Sequence, residues 1–191
     1  MKLKTLALAA AGTAALAAPA FAGSPTPAPA DTPVYVAPPA PVTGDWTGGY
    51  AGVQLGYGSG EAAGVSGDGM VYGLTAGYDY DLGNWVLGAG IDYDWTDIGI
   101  GGVSVDNLAR LKLRAGYDLG QGLAYGTAGV EKAFTTAGDD TGWIAGLGYE
   151  HKLTDNISLG AEALYHSYSN FNGSGVDADG TTLQVKTTFR F

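Results

Sequence analysis

From Gly48 to Phe191 the large apolar side chains return at every second position, run after run. A repeat of two belongs to the β-strand, whose successive side chains point to opposite faces; a helix would repeat near 3.6. The 33 glycines argue in the same direction, since each weakens a helix interior by about 1 kcal/mol. Seven runs have an unambiguous parity. Ala51, Val53, Leu55 and Tyr57 oppose Gly52, Gln54 and Gly56, and Tyr72, Leu74, Ala76, Tyr78 and Tyr80 oppose Val71, Gly73, Thr75, Gly77 and Asp79. Trp85, Leu87, Ala89, Ile91, Tyr93 and Trp95 oppose Asp92 and Asp94, while Ala109, Leu111, Leu113, Ala115 and Tyr117 oppose Arg110, Lys112, Arg114 and Asp118. Trp143, Ala145, Leu147 and Tyr149 oppose Glu150, and Ile157, Leu159, Ala161, Ala163 and Tyr165 oppose Glu162 and His166. The last run sets Leu183, Val185, Thr187, Phe189 and Phe191 against Lys186 and Arg190. Between Leu123 and Phe134 both parities carry apolar residues; Glu131 is placed on the polar side, beside the bases of the preceding run.

Each strand thus has one aliphatic and aromatic face and one face of glycine and charge. In a water-soluble sandwich the aromatic face would fill the core. In a membrane barrel it meets lipid, while small and polar residues fill the lumen. Aromatics near the ends of the apolar face (Tyr72, Tyr78, Tyr80, Trp85, Trp95, Trp143, Tyr149) match interfacial girdles. Glycine on the other face suits a narrow interior. The connections alternate short (81–84, 120–122, 154–156) and long (58–69, 96–106, 135–140, 169–180). Seven connections give eight strands, with both termini on the side of the short turns, which in outer-membrane barrels is the periplasm. The fold expected is all-β: an eight-stranded antiparallel up-and-down transmembrane β-barrel.

The residues before the barrel have other compositions. Residues 1–22 read as a secretory signal: Lys2 and Lys4, an apolar stretch, then Ala20-Phe21-Ala22 as the cleavage motif. Residues 23–45 hold seven of the eight prolines and read as an extended periplasmic linker. The barrel is assigned to 46–191, and the location expected is the cell outer membrane. With no cysteine, neither disulfides nor Cys-ligated metals contribute. A net charge of −10 opposes nucleic-acid binding.

Several local motifs fit one known family. The turn Leu153-Thr154-Asp155-Asn156, the run Leu159-Gly160-Ala161-Glu162-Ala163-Leu164-Tyr165-His166 and the ending Phe189-Arg190-Phe191 resemble the small outer-membrane β-barrels of Gram-negative bacteria. This is the OmpA-like and opacity-protein group, often labelled the porin family, and the resemblance covers roughly residues 46–191. It implies that Phe189 and Phe191 form the signal read by the outer-membrane assembly machinery. The sequence stops at Phe191, so the peptidoglycan-binding domain of longer relatives, and a cell-wall anchoring role with it, is not expected.

On the lumen parity lie Asp79, Asp92, Asp94, Arg110, Lys112, Arg114, Glu150, Glu162, His166, Lys186 and Arg190, the candidate functional residues. Buried charges persist only when paired, which predicts an interior ion-pair network: Arg110, Lys112 and Arg114 facing Asp92, Asp94 and Glu131, and Lys186 facing Glu162 and His166. Such a network either plugs the lumen, giving a structural and surface-interaction role, or gates small ions, giving a narrow porin. His166 with Ser167 and Ser169 falls short of the lipid A deacylase arrangement, because the residue two positions on is Tyr168. His151 reads as an interfacial polar residue. Asp177-Ala178-Asp179-Gly180 lacks the distal Glu of a calcium loop. No catalytic site, cofactor or metal is expected. The long connections carry acids and no Lys or Arg, which reads as loop solubility or as divalent-cation bridging to lipopolysaccharide. The partners expected are the lipid bilayer, lipopolysaccharide and the assembly machinery; a surface ligand is not legible.

Overall fold

The computed structural model describes residues 44–100, 102–169 and 175–191. The signal and nearly all of the proline-rich stretch lie outside them. Among the described residues eight strands form one closed antiparallel sheet in chain order: β1 (Gly48–Ala62), β2 (Val65–Asp81), β3 (Trp85–Ile100), β4 (Val103–Asp118), β5 (Gly122–Thr135), β6 (Gly138–Lys152), β7 (Ile157–Tyr168) and β8 (Ala178–Arg190). Pairing of β1 with β8, from Tyr50↔Arg190 to Ala62↔Ala178, removes both sheet edges.

The two faces follow the alternation. Leu113 (67% exposed) and Leu147 (72%) point outward, whereas Arg110, Lys112, Arg114, Asp92 and Glu162 are buried inside. The parity of β5 is settled by its neighbour: Arg110 lies directly across from Glu131, which is buried, and Val130 is outward. Outward aromatics gather in two belts. One contains Tyr72 stacked on Trp95 (6.0 Å) and Trp143 beside Tyr165 (5.7 Å). The other contains Trp85 edge-on to Tyr117 (5.5 Å), with Tyr149 over His151 (6.4 Å).

Three of the four long connections are strand rather than loop. β1 and β2 stay paired to Ala62↔Val65 and join through Ala63 (φ 52°) and Gly64 (φ 77°), the paired positive φ values of a tight hairpin turn. β3 and β4 pair to Ile100↔Val103, and β5 and β6 to Thr135↔Gly138. These stretches read as loops because the outward apolar face runs out; in 96–106 the large apolar residues, Ile98 among them, turn inward instead. Ladder hydrogen bonds are made by the backbone, however, and need no apolar face. The short connections are tight turns, closed by Leu82 N to Trp85 O (2.8 Å), Leu119 N to Gly122 O (2.8 Å) and Leu153 N to Ile157 O (2.8 Å). The barrel therefore has a short-turn end and a hairpin end. The chain ends of the barrel meet at the former, where Gly49 and Phe191 exchange backbone hydrogen bonds of 3.1 and 3.0 Å.

Candidate functional site

Strand parity delivers every charged candidate to the lumen, where the charges stack in three tiers. In the tier nearest the short turns, Arg114 and Arg190 face Asp79 and Glu150. Arg114 donates Nε to Asp79 (2.7 Å), a second guanidinium nitrogen to the other Asp79 oxygen, and Nη1 to Glu150 (3.1 Å). Arg190 donates to the same two carboxylates at 2.9 and 3.0 Å. Ser158 and Thr188 donate further to Glu150, at 2.5 and 2.9 Å. In the middle tier, Lys112 bridges Asp92 (2.6 Å) and Glu162 (2.7 Å), and Lys186 lies 3.2 Å from Glu162. Tyr125 donates to Glu162 (2.9 Å) and Thr75 to Asp92 (2.8 Å). In the third tier, Arg110 binds Asp94 and Glu131, the latter through Nε at 2.5 Å, and Gln54 donates to Asp94 (2.6 Å).

One anticipated pairing is different. His166 does not turn to Lys186; its Nδ1 lies 2.9 Å from Glu131 and its Nε2 2.9 Å from Thr182. His166 sits on β7 one tier nearer the hairpins, opposite Gly180, whereas Lys186 stands opposite Gly160. The cross-lumen bonds are also wider than neighbouring-strand reasoning allows: Arg114 of β4 reaches β2 and β6, and Lys112 reaches β7. A single strand pattern encodes which residues point inward, but not which of them meet across a narrow cylinder.

Several buried participants fall outside the charged candidates. Tyr50 and Tyr125 flank the Arg114 guanidinium at 4.5 and 5.2 Å. Both lie over glycines: a Cβ on Gly77 would stand 2.4 Å from the Tyr50 hydroxyl, and one on Gly148 2.3 Å from the Tyr125 ring. Tyr50 and Gln54 share the glycine parity, and that was their available signal. Trp46 had none, because it precedes the alternation. It is fully buried at the short-turn end, where its indole donates to Asp118 (3.1 Å). Arg190 and Lys152 each stand 4.6 Å from its ring. Trp46 clusters with Val86, Leu123 and Tyr125, and at the other end Leu108, Ala133, Tyr168 and Ala178 form a second apolar cluster. The charged tiers are thus bracketed by apolar groups at both ends.

Of the remaining sequence motifs, among the described residues only Tyr168 touches this network. Ser167 has outward parity, and Tyr168, two positions beyond His166, donates to Glu131. His151 lies at the short-turn rim, 3.4 Å from the Tyr149 hydroxyl. At the hairpin end Asp179 accepts from Tyr165 (2.8 Å), Asp68 from Tyr57, and Asp139 pairs with Lys132 (3.1 Å). Phe189 and Phe191 are outward, the latter ring covering Gly49.

Comparison with known proteins gives the same architecture. A family model described as the outer membrane protein beta-barrel domain matches residues 6–191. The chain is 35% identical over 171 residues to the 25 kDa outer-membrane immunogenic protein of Brucella abortus, covering 81% of this chain and 77% of that protein. It is 30% identical over 200 residues to the 31 kDa outer-membrane immunogenic protein of Brucella melitensis, covering 78% and 82%. Among solved structures it superposes on Neisserial surface protein A with a TM-score of 0.58 at 16% identity, over 76% of this chain and 98% of that one. The last likeness concerns the fold alone.

Proposed function

From the premise that this chain belongs to the outer membrane protein β-barrel family and is an outer-membrane protein, we propose that it is a closed, non-conducting, non-catalytic barrel with a structural and surface-presenting role. One observation carries this reading: the three charged tiers cross the whole lumen, with Trp46 buried at one end and the Arg110 tier blocking the lumen below the Leu108 cluster at the other. An eight-stranded barrel has an interior just wide enough for side chains to fill it. Solutes passing through would have to separate paired buried ions, at about 3–5 kcal/mol for each broken partner.

In this reading the short turns and chain ends face the periplasm, and a signal peptide exports the chain. The hairpin end stands outside among lipopolysaccharide, presenting β1–β2, β3–β4 and β5–β6 as strand-built projections. The Brucella relatives bear the name immunogenic, which supports surface presentation. Phe189 and Phe191 serve the assembly machinery. The test is planar-bilayer recording with the refolded barrel. No unit conductance steps are expected from the wild type across a wide voltage range. Discrete steps that change size in Arg110→Ala or Arg114→Ala would replace this reading with that of a narrow porin gated by the network.

A further inference from the structure

Above the third tier, toward the hairpins, the lumen opens into a cup of about 160 Å³. Its wall is apolar: Ile98, Val105, Leu108, Ala133 and Ala178 line it, with the Tyr168 ring. Its floor is polar but internally engaged. Glu131 accepts from Arg110 (2.5 Å), from Tyr168, and stands 2.9 Å from His166, whose other nitrogen lies 2.9 Å from Thr182. Beneath that floor the Arg110 tier blocks the lumen. The cup is therefore blind: a molecule entering from the hairpin end stays or leaves by the same route.

We propose that this cup is a binding site for a small, neutral, hydrocarbon-rich molecule about the size of one aromatic ring. Size and wall chemistry both point there. A protein cavity of about 150 Å³ lined by aliphatic and aromatic side chains stays dry and admits benzene. Charge selectivity follows from the surroundings. A charged ligand would lose its hydration against an aliphatic wall, which is costly without a partner. An anion would in addition meet Glu131 below and Asp179 at the rim. For a cation, both Glu131 oxygens are already engaged by Arg110, His166 and Tyr168, and Asp179 is exposed to water outside the aliphatic wall. A hydroxyl on the ring is compatible with the site, since Thr182 Oγ1 at the floor both donates and accepts. The site goes beyond the structural role proposed above and does not depend on it, because a conducting barrel would still possess this wall.

The test is methyl-resolved NMR of the full barrel in lipid nanodiscs, titrated with toluene, with benzoate and benzylammonium as charged counterparts. Toluene also partitions into the bilayer, so the outward methyls of Leu113 and Leu147 report lipid exposure and those of Ile98, Leu108 and Ala133 report the cup. Saturable ligand-to-methyl NOEs to the cup methyls are expected with toluene, at least ten-fold weaker affinity for both ions, and loss of the cup NOEs alone in Ala133→Phe. Ile98→Trp fills the same space from β3 and serves if the first variant does not fold. NOEs confined to the outward methyls, cup NOEs that survive both filling variants, or equal affinity for the ions would each overturn the proposal.

Discussion

Replacing Arg114 by Met tests whether the lumen network holds the barrel together. The substitution keeps most of the stem's volume and removes the guanidinium, which binds Asp79 through two nitrogens and Glu150 through a third (3.1 Å), and lies 4.5 Å from the Tyr50 ring. The losses are unequal. Glu150 keeps Arg190 (3.0 Å), Ser158 (2.5 Å) and Thr188 (2.9 Å), whereas the charged partner left to Asp79 is Arg190, at 2.9 Å. Removing one partner of a buried pair costs about 3–5 kcal/mol. The remaining Arg190 places this case near the lower bound, and the lost ring contact adds on the order of 1 kcal/mol. A destabilisation of roughly 3–4 kcal/mol follows.

The assay is urea unfolding in phosphatidylcholine vesicles, followed by tryptophan emission and approached from the folded and unfolded sides. With a slope of about 2 kcal/mol per molar urea, the midpoint should fall by roughly 1.5–2 M. Pairing adds a second signature. Asp79→Asn in the Arg114→Met background should be less damaging than in the wild type, with a coupling of about 1–3 kcal/mol. Lys132→Met is the control: its pair with Asp139 (3.1 Å) is half exposed, and such pairs contribute about 0–1 kcal/mol. A midpoint shift below about 0.3 M for Arg114→Met, on the same slope, or strict additivity with Asp79→Asn, would refute the reasoning.

Four further outcomes are expected. Trp46→Ala should destabilise by about 3–5 kcal/mol as a large buried side chain is removed, read by the same unfolding assay. Gly148→Ala places a methyl 2.3 Å from the Tyr125 ring and should cost about 1–3 kcal/mol, part of which Tyr125→Leu recovers in the double variant. Leu113→Arg, on the outward face, should cost about 2–4 kcal/mol in vesicles, whereas a Leu facing water would accept Arg with little change; the unfolding midpoint separates these. Deleting Phe191 removes the reciprocal backbone bonds to Gly49 (3.0 and 3.1 Å), about 1 kcal/mol each. Heat-modifiable gel mobility of cell envelopes should show a much larger deficit in assembled barrel than that modest loss explains.

The alternation made the strand number, the order and the identity of the inward residues legible, because lipid outside and a narrow lumen inside demand opposite side chains at adjacent positions. Legibility ended wherever contact depends on the cylinder's curvature. Glu131 lies in a run whose two parities both carry apolar residues, and its parity follows from Arg110 across the ladder. Lumen parity alone lets Lys186 face His166 as well as Glu162; the register instead sets His166 beside Glu131 and Thr182. Trp46 carries no periodic signal, since it belongs to no strand and is located by Asp118 and by the Lys152 and Arg190 cations against its ring. The three hairpins were hidden for a different reason. An outward apolar face reports lipid, and the ladder continues beyond the lipid, where in β3 Ile98 turns inward.

The same physics explains why so many ions occupy the lumen. An apolar lumen would leave both faces of each strand greasy, and a one-residue slip, which exchanges the faces, would carry little penalty. With Arg110, Lys112 and Arg114 on successive inward positions of β4, a slip of that strand sends all three outward, at about 2–4 kcal/mol each near the bilayer midplane and less toward the interfaces. It also strands Asp92, Glu131 and Glu150 without those partners. The cation of β5 that does point outward obeys the same rule. Lys132 stands two residues beyond Val130, the partner of the belt residue Trp143, and pairs with Asp139 on the hairpin. There a lysine lies past the acyl chains and its charge meets water.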